Sequence, residues 1–471
     1  MPYGLRMKRF AWALLLAVPA PLPAQAPAEP PPIAVDLQVA ALRDAALKDD
    51  YAWDITEGLT TEIGQRLAGT EAEARARTWA VAKLRAMGFA NVRIEEFPIR
   101  TAIRGTESAE ILAPFPQHLV VNALGNSAST GPAGVTGEVV AFDNVDALRL
   151  APASAVRGKI VFVDHRMTAT QDGIGYGQFG APRRQGPTIA SQKGAAAIII
   201  RSIGTDHNRT PHTGVMSFDN GARPIPAGAL SVPDAEQLMR IVKRGKPVTM
   251  RLRLESQPID GTSGNVIAEV PGRDPSLLPV LVSGHLDSWD LGTGAIDDAA
   301  GVAIAAAAAK RIMDAGRPLR TIRVVWFGSE ELGLFGGLDY RARYGKLPHH
   351  ALIESDFGAD RIYKVDSKLG AARREEARMI GATLAPLGIV TGSFEKADGS
   401  DIGPMLADGQ PGIGLNQDGT RYFDLHHTSN DTLDKVDIEQ LRQNVAAWTA
   451  TLAILSGGIE PGPKPSRAKQ R

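Results

Sequence analysis

Acidic and histidine side chains follow several predicted strands in the second half of the chain, and their types suit metal chemistry. Five of them are separated by apolar runs and Gly-rich turns: His285, Asp297, Glu331, Asp356 and His427. In α/β folds, functional groups gather at the carboxyl ends of strands, so we expect these side chains to converge. The chain has no cysteine, and any metal must therefore be held by histidine and carboxylate ligands.

The number of these ligands matches two Zn²⁺ ions per chain. If Asp297 bridges both ions and one water or hydroxide is shared, the five residues complete two four-coordinate sites. Glu330, beside Glu331, is then free to act as the general base. The sequence thus predicts hydrolysis through a metal-bridging hydroxide. The ions lower the pKa of the shared water toward about 7, and Glu330 takes a proton from this water and passes it to the leaving amine. Manganese or cobalt would suit the same donors.

Residues next to the predicted ligands have roles of their own. Asp287 lies two positions after His285, so its carboxylate could accept the imidazole N–H and fix the tautomer that binds metal. Asp298 opens an apolar helix, and we assign it to capping and Asp297 to function. Each motif alone has an ordinary alternative, such as an incidental His-x-Asp, a surface glutamate pair or a loop histidine. Asp431 could orient the loop that carries the histidine pair.

The elements that would position these residues alternate between strand and helix from residue 263 onward. This alternation predicts an α/β sandwich around a mainly parallel sheet. The predicted strands span residues 278–283, 322–327 and 352–355, and the predicted helices span residues 298–315, 373–387 and 438–455.

The first half of the chain has a different pattern of predicted helices and strands. Residues 35–87 have a mostly helical pattern, with a clear helix over 72–87, and residues 91–99 have the pattern of a strand. Between residues 119 and 258, short apolar runs alternate with Gly-rich loops, which indicates a β-rich insertion. Its predicted strands span residues 137–142, 159–164 and 198–200.

The two ends of the chain have the composition of a targeting segment and of a disordered tail. Three basic residues precede an apolar run over residues 10–18, which is typical of a secretory signal peptide cleaved after Ala24. An uncleaved N-terminal anchor is the alternative. Residues 25–34 have the composition of a linker, and residues 459–471 that of a disordered tail. We therefore expect a protein that is secreted or periplasmic and has no stable membrane anchor.

Overall composition excludes one class of partner. Among 471 residues, Lys+Arg 52 balances Asp+Glu 52, whereas nucleic-acid-binding proteins usually carry a basic excess. We expect a peptide substrate and no nucleic acid.

Five motifs in order resemble a known family. They are SGHLDSWD (283–290), GAIDDAAG (294–301), the pair Glu330-Glu331, ESD (354–356) and YFDLHHTSNDT (422–432). They are similar to the co-catalytic di-zinc aminopeptidase-type metallopeptidase family, and to its carboxypeptidase Q branch in particular. The resemblance implies the same five metal ligands, Glu330 as the catalytic base, and Asp287 as a catalytic residue behind the ligands.

The resemblance also implies an architecture. RGKIVFV (157–163), GAAAIIIRS (194–202) and PHTG (211–214) resemble the protease-associated insertion of that branch. The expected fold is a three-layer α/β/α zinc-exopeptidase sandwich with a mixed eight-stranded sheet, plus an inserted β-rich protease-associated-like domain. The peptidase domain would comprise residues 35–118 and 259–458, with the insertion at 119–258 serving as substrate lid or dimer surface. A homodimer is implied by resemblance alone.

The sequence departs from the wider family near the second histidine. His426 stands where many members have tyrosine, so it could donate to the oxyanion or be a loop residue without a role. Tyr422 could contact substrate or simply pack. The SDIGP run at residues 400–404 matches only part of a family loop near the substrate cleft.

The end specificity stays open at this level. A dipeptidase that needs both free ends is our central hypothesis, and an aminopeptidase on longer peptides or a carboxypeptidase are the alternatives. A non-catalytic receptor-like protein on the same scaffold would have lost ligands or the base. A glutaminyl cyclase-like enzyme would lack the insertion and the SGHLDSWD stretch.

Overall fold

The computed structural model describes residues 33–48, 50–219, 221–345 and 347–460, and from Val35 onward the chain forms one compact unit. The predicted signal peptide, most of the predicted linker and the tail beyond residue 460 lie outside the described residues. None of the helices within the described ranges is long and apolar enough to cross a bilayer.

The N-terminal part consists of three helices followed by one long strand: α1 (Leu37–Ala46), α2 (Tyr51–Gly58), α3 (Glu71–Ala86) and β1 (Ala90–Ala113). The predicted helix over 72–87 is confirmed. It begins where the Thr70 hydroxyl accepts the Glu73 N–H at 3.3 Å, and it ends before Gly88, whose φ of 90° suits glycine. The predicted strand over 91–99 is confirmed but continues to Ala113, because β1 pairs along its length with a second long strand.

The middle of the chain contains more helix than expected. Its elements are the strands β2 (Gln117–Leu119), β3 (Val121–Ala123), β4 (Val135–Phe142), β5 (Ile160–Val163), β6 (Ala197–Arg201), β7 (Ala227–Leu230) and β8 (Thr249–Val270), and the helices α4 (Val145–Leu150), α5 (Ala153–Val156), α6 (Gly175–Phe179), α7 (Ala181–Arg184), α8 (Gly186–Gln192) and α9 (Val232–Val242).

These helices cover both faces of the parallel strands β4 to β7. Ile160 and Phe162 of β5 share a core with Leu238 of α9, whereas Val161 of β5 shares another with Leu148 of α4. The strands therefore have continuous apolar runs rather than alternating ones. The three strands predicted here are confirmed, and the expectation of a β-rich segment is replaced by an α/β one.

The remaining elements follow the predicted alternation. They are the strands β9 (Val280–His285), β10 (Arg317–Pro318), β11 (Ile322–Phe327), β12 (Ala351–Glu354), β13 (Ile362–Lys368), β14 (Val390–Thr391), β15 (Gly412–Gln417) and β16 (Ile459–Glu460), and the helices α10 (Ala300–Ala315), α11 (Phe335–Tyr344), α12 (Arg374–Leu384), α13 (Gly403–Ala407) and α14 (Ile438–Leu455).

One mixed sheet of fourteen strands runs through the unit, rather than the expected eight. The order β14-β13-β15-β12-β9-β11-β8, with β1 antiparallel to β8, accounts for eight strands. The long strands β1 and β8 then extend beyond this part, pairing with β2 and β4 and carrying the sheet into β2–β7. The sheet is larger because these two strands belong to both parts.

Helices on both faces complete the expected three layers. On one face, α10 and α14 pack against strand residues such as Val282 and Trp326, and on the other, α11 and α13 pack against residues such as Leu281 and Phe327. Strands β11, β9, β12 and β15 are mutually parallel, so their carboxyl ends share one edge. That edge carries the functional side chains.

Candidate metal centre

Two groups of metal-type ligands meet at this edge and share one aspartate. The first contains His285, Asp297 and Asp356, and the second contains Asp297, Glu331 and His427. In each group the ligand atoms lie within 4.8 Å of one another. All five ligands predicted from the sequence are therefore brought together.

Asp297 directs one carboxylate oxygen to each group. Its Oδ1 lies 3.1 Å from His285 Nε2, which is also 3.2 Å from Asp356 Oδ1. Its Oδ2 lies 3.3 Å from His427 Nε2, which is also 2.6 Å from Glu331 Oε2. This is the arrangement expected of a carboxylate that bridges two ions.

Two buried oxygens in the centre lack any hydrogen-bond partner, namely Asp297 Oδ2 and Glu331 Oε1. Burial, and then the negative charge of Asp297, raises the pKa of Glu331 well above its usual range. Buried carboxylates crowded in this way need compensating positive charge. The donors, all histidine nitrogen or carboxylate oxygen, fit a pair of divalent cations such as zinc.

Asp287 holds the strand end together, although through different atoms from those predicted. The Nδ1 of His285 lies 3.0 Å from the Asp287 main-chain carbonyl, which fixes Nε2 toward the metal position. The Asp287 carboxylate is 3.7 Å from that Nδ1, too long for a hydrogen bond. It accepts instead from the N–H groups of Glu330 (3.1 Å) and Glu331 (3.4 Å). Asp287 therefore fixes the backbone of Glu330 and Glu331 as well as the His285 ring.

Two further aspartates fix the backbone around Asp297 and His285. The carboxylate of Asp431 accepts the N–H groups of Ile296 at 2.7 Å and Asp297 at 3.1 Å, so this predicted loop-orienting residue holds Asp297 itself. Asp298 accepts from Gly301 N–H at 3.1 Å, as a helix cap does, and from His285 N–H at 3.0 Å. Asp298 thus ties the start of α10 to the end of β9.

Glu330 follows a residue in the left-handed region, Ser329, whose φ is 61°. Such backbone at a non-glycine residue is uncommon and is found at sites where a side chain must be aimed. The Glu330 side chain is half-buried. Burial, and then the negative charge of Asp356, raises its pKa well above the usual range.

A cavity of about 290 Å³ opens beside Asp356. Ser400, from the partly matched SDIGP run, forms part of its wall and donates to Asp356 Oδ2 at 2.5 Å. Glu354, also in the wall, accepts from the N–H groups of Asp401 at 3.1 Å and Ile402 at 3.2 Å. The run therefore positions Asp356 and lines the space next to it. From the sequence, Glu354 stood out only as a member of the ESD motif, with no role of its own.

Histidines gather on the other side of the centre. The rings of His426 and His427 stack with centroids 3.8 Å apart, and His426 Nε2 lies 3.3 Å from Asp297 Oδ2. Burial, opposed by the charge of Asp297, lowers the pKa of His427 to about 4, which keeps its imidazole neutral as metal binding requires. The ring of Tyr422 packs on His426 at 4.9 Å and on Phe357 at 4.5 Å.

The sequence reasoning missed three residues of this side: Tyr176, Arg183 and His212. His212 Nε2 lies 2.9 Å from His426 Nδ1, and the Tyr176 ring packs edge-on against His212 and His426. All three come from the segment between β5 and β7, far from the other site residues in sequence. For His212 the sequence offered two signals, its place in the PHTG run (211–214) and the scarcity of histidine, since it is one of nine.

Comparison with known proteins identifies the family of this chain. Residues 265–452 match the model of peptidase family M28. Carboxypeptidase Q from Bos taurus is 34% identical over 407 residues, which cover 84% of each chain. Carboxypeptidase Q from Homo sapiens is 33% identical over 413 residues, covering 86% of this chain and 85% of the human one.

Solved structures agree with these relatives. A peptidase M28 precursor from Shewanella amazonensis superposes with a TM-score of 0.86 at 44% identity, over 91% of this chain and 98% of the other. A zinc aminopeptidase from Bacillus subtilis has the same fold, with a TM-score of 0.63 at 19% identity over 86% and 94% of the two chains.

Proposed function

The chain belongs to peptidase family M28, in the branch of carboxypeptidase Q, and is a metallo-exopeptidase; from this premise we propose that its substrates are dipeptides and other short peptides. We further propose that Glu330 is the general base and that two zinc ions are held by the two ligand groups around Asp297. The single observation that carries the proposal is that Asp297 directs its two oxygens to two separate histidines.

The residues that would hold the ions divide between the two groups. His285 and Asp356 would bind one, Glu331 and His427 the other, and Asp297 both. Two zinc ions, when bound, polarise a peptide carbonyl and lower the pKa of a water toward neutrality. The remaining chemistry belongs to the protein's own side chains.

Glu330 is the proton carrier in this proposal. Its carboxylate takes a proton from the attacking water and gives it to the amine that leaves when the peptide bond breaks. The Asp287 carboxylate accepts the backbone N–H groups of Glu330 and Glu331, so it fixes the position of the base relative to the proposed ligand.

His426 is proposed to assist the developing oxyanion. Burial, and then the charges of His427 and His212, lowers the pKa of His426 well below its usual range, so the ring is neutral. If His212 donates from Nε2 to His426 Nδ1, the Nε2 of His426 carries the hydrogen and can donate toward the reacting centre. Tyr422, buried beneath His426, would support this ring rather than react.

The acidic cavity beside Asp356 is proposed to receive the free amino end of the substrate. Among the described residues that line it, Asp172 and Asp398 add carboxylates and none is basic, while Phe357 and Tyr363 provide aromatic walls. Carboxylates and aromatic faces both favour an ammonium group. An exopeptidase that recognises the free amino end of a short peptide would need such a pocket.

Export is proposed from the sequence. The basic residues Arg6, Lys8 and Arg9 before an apolar run, and small residues up to Ala24, support a signal peptide. N-terminal sequencing of protein recovered from the periplasm or medium tests this, and a mature chain that begins at Gln25 is the expected result.

The test of activity is one dipeptide in three forms, assayed with zinc: both ends free, N-acetylated and C-amidated. Glu330→Gln protein serves as the blank. Cleavage of the free form alone supports a dipeptidase, and cleavage of the free and acetylated forms a carboxypeptidase. Cleavage of the free and amidated forms would indicate an aminopeptidase. No cleavage of any form by protein with zinc bound would contradict the proposal.

A further inference from the structure

One arginine next to the centre is buried although no carboxylate neutralises it. Arg183 lies in the short helix α7 and only 6% of its surface is exposed. Among the described residues, no carboxylate oxygen lies within ion-pair distance of its guanidinium, whereas Arg201, 3% exposed in the same segment, lies 2.6 Å from Asp164. A buried charge is normally paired, so the unpaired state of Arg183 calls for an explanation.

The protein uses only part of the donor capacity of this guanidinium, in hydrogen bonds to the Thr213 carbonyl and to the Tyr176 side chain. One nitrogen, Nη1, donates to the Thr213 carbonyl at 2.7 Å. The guanidinium carbon lies 5.3 Å from the centre of the Tyr176 ring, and Nε is buried without a hydrogen-bond partner. A guanidinium offers five N–H donors in a planar fork. The unpartnered Nε leaves this buried, oriented cation with a donor that an anion from outside the chain can use.

The position of Arg183 relates this anion to the reaction. A side chain added at Gly214 would collide with the Arg183 guanidinium and would lie 2.8 Å from His427 Nδ1. The two groups are thus neighbours across one glycine of the loop that follows His212. Arg183 therefore stands directly behind a proposed metal ligand, on the histidine side of the centre.

The two sides of the centre carry opposite charge. The acidic cavity lies beside Asp356, and Arg183 lies beside His427, with Asp297 between them. A peptide bond placed at Asp297 would have its amino side directed to acids and its carboxyl side to a cation. This polarity matches a short peptide with both ends free.

We propose that Arg183 binds the C-terminal carboxylate of the peptide substrate and so requires that the substrate end there. This inference rests on the exopeptidase function proposed above and deepens it by naming the end of the substrate that the enzyme recognises. The planar fork of arginine matches the two oxygens of a carboxylate, which gives both strength and direction. The arginine is supplied by the segment between β5 and β7, so that segment acts in substrate recognition.

The experiment compares a dipeptide with its C-terminal amide on three proteins: wild type, Arg183→Met and Arg184→Met. Arg184 is the matched control, because it is the next residue of α7, is exposed and donates only to the Gly177 carbonyl at 2.5 Å. We expect wild type and Arg184→Met to prefer the free acid by about 100-fold or more in kcat/KM, since a site built for a charged partner rejects the analogue that lacks it.

Arg183→Met is expected to lose this preference by slowing only one substrate. Its kcat/KM for the free acid should fall about 100-fold, while that for the amide changes less than about threefold. Equal loss for both substrates would overturn the proposal and assign Arg183 a purely structural role. Equal cleavage of acid and amide by wild type would overturn it as well.

A binding measurement separates this inference from the proposed function. In the Glu330→Gln background, calorimetric titration with the uncleaved dipeptide should show about 100-fold weaker binding when Arg183 is also methionine, with no such change for the amide. Unchanged affinity for the acid contradicts the inference even if the enzyme is an exopeptidase. If Arg183→Met fails to fold, Arg183→Lys keeps the charge without the fork and should lose about tenfold for the acid alone.

Discussion

The acidic and the histidine sides of the centre are built in different ways. On the acidic side, His285 ends one strand of the parallel edge, and Glu330 and Asp356 each lie within three residues of the end of another, so the order of the strands fixes them relative to one another. On the histidine side, the loop with His426 and His427 meets a loop from the segment between β6 and β7 that carries His212. One side follows from strand order, and the other exists only when distant loops meet.

The electrostatic consequences also differ. Burial raises the pKa of Glu330 and Glu331 on the acidic side and lowers the pKa of His426 and His427 on the other. Burial thus acts against the charged form on both sides: it opposes carboxylate charge on the first and keeps the imidazole rings of the second neutral. Under the proposed function, the strand-end side carries out proton transfer, whereas the loop side supplies ligation, oxyanion contacts and substrate recognition.

The largest expected effect is the loss of the base from the acidic side. Glu330→Gln should lower kcat by about 10²–10⁴-fold, because the amide cannot take up a proton. Zinc content should stay at the wild-type value, since Glu330 is not a ligand. Steady-state kinetics and elemental analysis of the same preparation measure both. Glu331→Gln is the matched control, and it should lose metal; normal turnover in Glu330→Gln would reject the assignment.

On the histidine side, His426→Ala should lower kcat about 100-fold with metal retained, which is the usual cost of removing one oxyanion donor. His212→Ala should cost about tenfold, because His212 only orients the His426 ring. Kinetics at saturating substrate measure both variants. A greater loss in His212→Ala than in His426→Ala would show that His212 acts directly, and the division drawn here would be wrong.

A change behind Asp297 should weaken metal binding without removing a ligand. Asp431→Asn replaces one acceptor by a donor facing the N–H groups of Ile296 and Asp297, so the bridging ligand loses its support. We expect about 10–100-fold weaker zinc affinity, measured by competition with a chelator. Wild-type affinity in this variant would mean that Asp297 is held in place by its own loop.

The smallest expected effect concerns Glu376, which lies outside both sides of the centre and serves as a reference for the variants made there. Although burial acts the other way, hydrogen bonds from His350 and Arg373 lower the pKa of Glu376 to about 2. A lowered folded-state pKa stabilises the protein above the unfolded value of about 4.5, and this contribution is lost as the pH falls toward 2. Glu376→Gln should cost about 1 kcal/mol at pH 7, discounted for partial exposure, and less at pH 4.

Urea unfolding of Glu376→Gln and wild type at the two pH values tests this, with peptidase activity as the control. A difference in unfolding free energy that is the same at pH 4 and pH 7 would show that the Glu376 ion pair does not contribute. Lost activity would mean that the centre responds to changes anywhere in the fold, which would weaken conclusions from the other variants.

Most of the strand-end side could be predicted from the sequence, because the apolar runs fix the strands and the residues after them fix the site. His285 and Asp297 are examples, each a short step from a recognisable element. The atom-level role of Asp287 could not be predicted, since backbone and carboxylate oxygens are equally available to a neighbouring imidazole until the turn is folded.

The histidine side could be predicted only in part. His427 was accessible through its motif, but Arg183 and His212 are separated from it by more than 200 residues of sequence. No periodicity or spacing relates residues that meet only through tertiary structure. The size of the sheet was underestimated for a similar reason, because β1 and β8 pair over their whole length, and this pairing is a long-range property.

The most direct test of the central claim is anomalous diffraction at the zinc edge from crystals of the purified protein. The account predicts two peaks, one in contact with His285 and Asp356 and the other with Glu331 and His427, with the Asp297 carboxylate between them and touching both. A single peak, or two peaks of which only one contacts Asp297, would contradict it.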